Sequence, residues 1–441
     1  MQLTTKSRPV QAHPWYGAAA IVLATLLSGC SGPLEGTDGA PRNRASDRTD
    51  LAQQAPEIGT VQMYRTGSEA SLALATLGSG ETLTLAFDLV DRDPRPLSVW
   101  FYHADRDGRR DLLTPGEYMD SFQRDDLRDY SMSRATQLPY VHYRYEFPNA
   151  SIDFRLSGNY MIRVTEQGDE EAVLFERPFQ LTEQTMPIQF GVDQVMVAGA
   201  SFPSMQPTIG FIPPEGFASN AYDYTVCFMR NGQSASRRCG ARPSLASLPT
   251  IQFYLEPEGS FAPQPTDGFL DLGEIRVGPR VVETDLRAMP FRIVLEPDYL
   301  RFPGTLDAPL QNGNPVVDGA VRSSLDPSLS AEYVDALFSL VPDPEAELPG
   351  EVYVIGSFNG WTATEASQMS WNAEIARYEA RIRLKQGWHE YRYVFSDPAV
   401  ADEVFSRTPP RLDDILTAFV YFRDVRFGTD RLISTVSARS R

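Results

Sequence analysis

The chain has 441 residues, 42% hydrophobic and 11% aromatic, enough to bury more than one core and too apolar for a disordered or low-complexity protein. Its 40 basic and 58 acidic residues leave a net charge of −18, a field that repels phosphate backbones and speaks against nucleic-acid partners. The 34 Pro and 31 Gly suit short strands and frequent turns, so the expected class is all-β.

At the N-terminus, Lys6 and Arg8 precede an apolar run over 17–27, about 11 residues against the about 20 that a spanning helix needs. This reads as a signal peptide over 1–30. It ends in Leu27-Ser28-Gly29-Cys30, the pattern of a bacterial lipobox, in which small residues admit the peptidase and the thiol takes the lipid. Cys30 is therefore the expected lipidation site; an ordinary cleavage site that happens to hold a Cys is the alternative. Removing 1–30 leaves 38 basic and 58 acidic residues, a charge of −20. Ser31 follows the Cys where an Asp would favour inner-membrane retention, so the expected address is the outer membrane, on its periplasmic side. Residues 31–56 are rich in Gly, Pro, Asp, Arg and Ser without apolar periodicity, as in a flexible linker.

Beyond the linker the pattern turns to period 2. Over 81–90, Leu83, Leu85, Phe87 and Leu89 alternate with Thr82, Thr84, Ala86 and Asp88, predicting a half-buried strand. Strands over 97–102, 140–147, 159–165 and 172–175 follow, and 57–183 reads as one β-sandwich. Strands at 222–229, 251–254, 274–277 and 292–295, with alternation over 333–340, make a middle β domain at 184–345. Asp326-Pro327 also fits a helix start, against which the period-2 pattern is weighed more heavily. An acidic, Pro-rich stretch at 341–350 suggests a boundary. Strands at 351–355, 378–384, 389–395, 418–422 and 432–435 are expected to complete a C-terminal sandwich over 346–436.

Local catalytic signatures are missing from the sequence: HExxH, GxSxG, Walker A and GxGxxG are all absent. Outside the signal, His103, His142 and His389 are the whole imidazole supply. His103-Ala104-Asp105-Arg106-Asp107-Gly108 resembles a calcium loop, but EF-hand register puts His103 and Thr114 where carboxylates belong, so a turn closed by Asp-Gly is expected. Asp125-Asp126 and Asp169-Glu170-Glu171 are carboxylate groups of the kind usually found solvated beside loops. No catalytic residue, metal or cofactor is expected. Cys227 and Cys239 remain after Cys30, an even pair in an exported chain, and they flank the turn signal Asn231-Gly232. A bridge stapling a hairpin is expected, with two separate thiols as the alternative.

Leu113-Thr114-Pro115-Gly116-Glu117-Tyr118-Met119-Asp120-Ser121-Phe122, Leu138-Pro139-Tyr140-Val141-His142-Tyr143 and Leu156-Ser157-Gly158-Asn159-Tyr160 resemble, in order, the plug protein of type IX secretion systems. Asn231-Gly232, Leu295-Glu296-Pro297-Asp298 and Tyr333-Val334 resemble the middle of that family. Gly356-Ser357-Phe358-Asn359-Gly360-Trp361 and Leu384-Lys385-Gln386-Gly387 resemble its C-terminal part. The resemblance implies tandem Ig-like or early-set β-sandwiches, no enzymatic activity, and a periplasmic component that docks on the large outer-membrane translocon barrel and seals it when idle. The lipobox and the Cys pair depart from the family pattern and bear on how the plug is held. The C-terminal part also resembles early-set sandwiches that bind glycogen, which makes a glycan-binding lipoprotein the alternative, with Trp361 as the stacking residue. A second stacking Trp is missing, since Ser396-Asp397-Pro398 follows Phe395.

Overall fold

The computed structural model describes residues 54–200, 202–217, 220–246, 249–264, 267–300, 309–318, 326–407 and 413–440. Cys30 and the expected signal peptide and linker up to residue 53 lie outside them. The alternating segments form mostly antiparallel strands with few helices, and the chain is a set of tandem all-β sandwiches.

In the first sandwich, Ile58–Arg65, Leu83–Leu89, Val141–Phe147 and Tyr130–Met132 form one sheet. It faces Leu74–Thr76, Val173–Thr182, Gly158–Glu166, Leu97–Ala104 and Arg124–Leu127. Leu83, Leu85, Phe87 and Leu89 enter the core with Leu97, Val99 and Phe101. Phe87 stacks on Tyr143 at 5.1 Å and meets the edge of Phe175 at 4.9 Å, the offset and edge geometries that the ring quadrupole favours. Leu83–Leu89 differs from the half-buried strand expected of it, because both of its faces are buried. Its polar face is covered by a distant part of the chain.

The second sandwich joins Gln189–Val195, Ser204–Phe211, Ile251–Tyr254 and Arg242–Ser244 to a sheet of Tyr224–Arg230, Ile415–Asp424 and Thr429–Arg439. Ile209, Phe211 and Phe253 from one sheet meet Val226, Phe228, Leu416 and Val420 from the other. The third sandwich packs Gly268–Asp271, Gly387–Phe395, Val316–Val317 and Val352–Gly356 against Val281–Asp285, Phe291–Leu295, Tyr333–Val341, Arg377–Lys385 and Ser370–Asn372. Its core holds Leu270, Leu272, Ile293, Phe338, Val354 and Tyr391.

The expected division into 184–345 and 346–436 does not coincide with these sheets. Tyr333–Val341 lies between Phe291–Leu295, its parallel neighbour, and Arg377–Lys385, its antiparallel one. Ile415–Asp424, expected to finish a terminal sandwich, pairs instead with Tyr224–Arg230, Cys227 opposite Phe419. Periodicity marks a strand and its buried face without naming the partner that covers it. The strand expected at 274–277 is absent: Leu270 and Leu272, before Gly273, take the core positions, while Glu274 and Arg276 form an exposed ion pair. At 326–341 both competing patterns are realised. Asp326 caps the short helix Pro327–Ser330 by accepting from the Ser328 amide, and the strand Tyr333–Val341 follows. Helix Pro398–Arg407 was not expected; Asp397 accepts from the Ala399 amide at 2.8 Å at its start.

Cys227 and Cys239 are joined by a disulfide, 12 residues apart in sequence. Phe228 and Arg238 exchange backbone hydrogen bonds at 2.8 Å beside it. Asn231 and Gly232 turn the chain with φ of 49° and 69°. A Cβ at Gly232 would lie 2.0 Å from the Asn312 carbonyl oxygen, so the turn admits only Gly. Opening this loop by Cys227→Ser with Cys239→Ser is expected to cost about 3 kcal/mol of stability by loop closure. Without reductant, alkylation of the denatured protein should leave both residues unmodified in peptide mass analysis. Two modified thiols would contradict the bridge.

Candidate functional site

Several buried polar groups are drawn together at the contacts between sandwiches. Asp88 projects from the polar face of Leu83–Leu89, 1% exposed, and its Oδ2 accepts from Lys385 Nζ at 2.7 Å and from the Tyr333 hydroxyl at 2.5 Å. Its Oδ1 lies 2.7 Å from His142 Nδ1. Lys385, also 1% exposed, donates to the Ser328 carbonyl at 2.8 Å and sits 4.2 Å from the Tyr140 ring centre. The Tyr140 hydroxyl in turn donates to the Ser328 carbonyl at 2.9 Å. Burial would raise the Asp88 carboxyl, but the Lys385 ammonium, followed by His142, outweighs it and holds the group below the usual carboxylate range. Asp88 is thus ionised and compensated on both oxygens. The cluster is enclosed rather than open to a cleft, and its geometry fastens the first sandwich to the third.

Neighbouring contacts repeat the arrangement. Glu332 accepts from the Gln137 amide at 2.8 Å, and Gln62 Nε2 donates to the Pro315 carbonyl at 3.0 Å. Towards the second sandwich, Arg431 donates to Glu183 at 2.7 Å, and the Tyr421 hydroxyl donates to Asn159 Oδ1 at 2.9 Å. In the third sandwich the carboxylate of Asp298, 2% exposed, receives Tyr391, Tyr393 and Arg280 at 2.8, 2.7 and 2.7 Å.

The other candidates are likewise engaged. His103 Nδ1 lies 2.5 Å from Asp111 Oδ2, and His389 Nε2 lies 2.8 Å from the Lys385 carbonyl. Burial pushes His389 down to about 4. In 103–108, the Gly108 amide donates to the Asp105 carbonyl at 2.9 Å with Gly108 at φ 82°, an ordinary turn. Asp125 accepts from Tyr145 at 3.0 Å, Asp126 from Ser98 at 2.8 Å, and Glu170 from Tyr102 at 2.5 Å. Among the described residues, no group of three or more His, Cys, Asp or Glu side chains is placed to hold a metal.

Trp361 is 8% exposed, at φ 61°. Its Nε1 donates to the Gly313 carbonyl at 2.9 Å, and the Arg392 guanidinium lies 4.7 Å from the ring centre. The stacking role that the glycan alternative assigns to Trp361 lacks an open ring face, so the indole is a packing residue of the turn. The sequence motifs thus fall into place as joints: His142, Tyr333 and Lys385 come from three separate motif segments and meet at Asp88. Asp88 itself was missed; its one signal is a carboxylate on the polar face of a strand whose other face is wholly apolar.

Two variants test these contacts. Lys385→Met leaves a buried, unpaired carboxylate and should destabilise the protein by about 3–5 kcal/mol, while Asp88→Asn with Lys385→Met should recover much of the loss. Chemical denaturation measures both, and a single-variant loss below about 1 kcal/mol would contradict the buried pair. The second test is pH. The unfolded chain binds a proton at His389 near its ordinary 6.5 and the fold does so only near 4, so stability is full above 6.5 and falls as pH drops toward 4. The loss approaches about 3 kcal/mol from this group, and His389→Asn should flatten that part of the curve.

No curated protein matches its sequence. A crystal structure of a hypothetical protein from Parabacteroides merdae ATCC 43184 superposes with a TM-score of 0.78 at 23% identity, over 88% of this chain and 98% of that one. That likeness shows the fold. Residues 58–183 match the family described as the type 9 secretion system plug protein 1st domain, the span of the first sandwich with its strands from Ile58–Arg65 to Val173–Thr182. What the chain shares with the type 9 secretion system plug protein family is thus this first domain.

Proposed function

We propose that this protein is a non-catalytic plug of the type IX secretion system, docking on the periplasmic side of the outer-membrane translocon barrel and sealing it when idle. The observation that carries the reading is the match of 58–183 to the plug family's first domain. Two features support it. Sealing needs a rigid body of fixed shape and a broad docking contact, on the order of 2,000 Å² or more. The three sandwiches are fastened to one another by buried polar contacts in which Asp88, Lys385, Tyr333, Glu183 and Arg431 are engaged. The protein resides in the cell envelope, held by a lipid on Cys30 that raises its concentration near the barrel without tightening the contact itself.

Deletion of the protein should let large polar solutes enter faster through an unplugged translocon and remove no enzymatic activity. Uptake assays on intact cells measure this. Unchanged uptake, with the barrel present and assembled, would contradict the sealing role. Metabolic lipid label should follow Cys30 and vanish in Cys30→Ala.

A further inference from the structure

Two loop tips, one from the first sandwich and one from the second, are held side by side at one edge of the protein. The first, 105–113, follows Leu97–Ala104; the second, 424–429, joins Ile415–Asp424 to Thr429–Arg439. Thr429 Oγ1 donates to Asp111 Oδ2 at 2.8 Å, Arg106 lies 3.5 Å from Asp430, and Leu113 and Phe427 both pack on the first core. These contacts fix each tip against the other. Between the inward-turned apolar residues stand two that point fully into solvent, Leu112 at 101% and Val425 at 87% exposure.

Charge at this edge is sorted by depth. Asp424 and Asp430 are each 3% exposed, tucked beneath Arg426 at 3.1 Å and Arg423 at 3.6 Å. Arg109, Arg110, Arg423 and Arg426 are exposed, with Asp107 as the exposed acid of the two tips. Over 105–113 and 423–430 five Arg balance five Asp, but four of the arginines and only Asp107 of the acids are exposed. A chain of net charge −18 thus presents here an outer layer of arginines over sunken carboxylates, from which two apolar side chains protrude. We propose that the paired tips are a membrane-contacting edge that takes an anionic phospholipid surface, with Leu112 and Val425 entering the headgroup boundary and the arginines lying among the phosphates. The argument is charge complementarity combined with shape. Protein hot spots sit in well-packed, desolvated pockets, whereas single apolar side chains projecting between arginines match an interface that is polar outside and apolar just beneath. The acidic remainder of the protein, repelled by the same surface, would select this orientation. The inference does not rest on the plug reading, since it needs no barrel.

Hydrogen exchange on the full chain, alone and with vesicles, tests it at the tips themselves, whatever the N-terminal segment contributes. With phosphatidylglycerol mixed into phosphatidylethanolamine, amides of 105–113 and 424–429 should exchange more slowly, and with phosphatidylcholine alone they should not. Leu112→Asn with Val425→Asn and Arg109→Glu, all at exposed positions and so expected to keep the melting temperature, should lower partitioning onto the anionic vesicles about tenfold or more and abolish the protection. Unprotected tips on anionic vesicles, equal protection on phosphatidylcholine, or a triple variant that partitions and protects like the parent would each overturn the proposal.

Discussion

Asp88 and Lys385 are 297 residues apart in sequence and 2.7 Å apart in space, both almost wholly buried. A carboxylate and an ammonium removed from water are stable only if their geometry and remaining hydrogen bonds are satisfied together. Here His142, Tyr333 and the Ser328 carbonyl complete the set. The pair therefore does little to raise stability over an apolar substitute but sharply penalises any arrangement in which the first and third sandwiches separate or slide. Loss of one partner leaves a buried charge without its counter-ion. Register between distant parts of the chain is thereby specified.

The same logic runs through the other joints. Gly232 turns against the Asn312 backbone, where a side chain has no room, and Trp361 donates to Gly313 next to it. Glu183 and Arg431 tie the last strand of the first sandwich to the last strand of the second. The second sandwich is itself closed by strands from the C-terminal part, with the third sandwich between its two halves in sequence. A chain threaded in this way resists hinge motion between its parts. Such a body suits a closure that works by shape.

Much of the fold was legible because burial imposes a period. Leu83 to Leu89, Ile251–Tyr254 and Arg377–Lys385 all show the alternation that a sheet face demands. What periodicity could not supply was partnership: nothing local in Ile415–Asp424 says that its apolar face belongs against Phe228 and Phe253 rather than against the strands just before it. The 345/346 boundary failed for that reason. The buried face of Leu83–Leu89 was hidden likewise, since Thr84 and Asp88 look like solvent residues until Lys385 arrives from the other end of the chain. The family motifs were readable in order, but their role as joints became visible only when His142, Tyr333 and Lys385 converged. Trp361 was readable both as a packing residue and as a sugar platform, and its burial decides for packing.

If this body closes a translocon, it must associate physically with one. Cross-linking in intact cells, followed by gentle solubilisation, isolation of the tagged protein and identification of partners by mass, should yield the large outer-membrane barrel of the secretion system, with cross-links mapping to the sandwiches. Isolation of the protein without the barrel, from envelopes in which the barrel is present and assembled, would contradict the closing role.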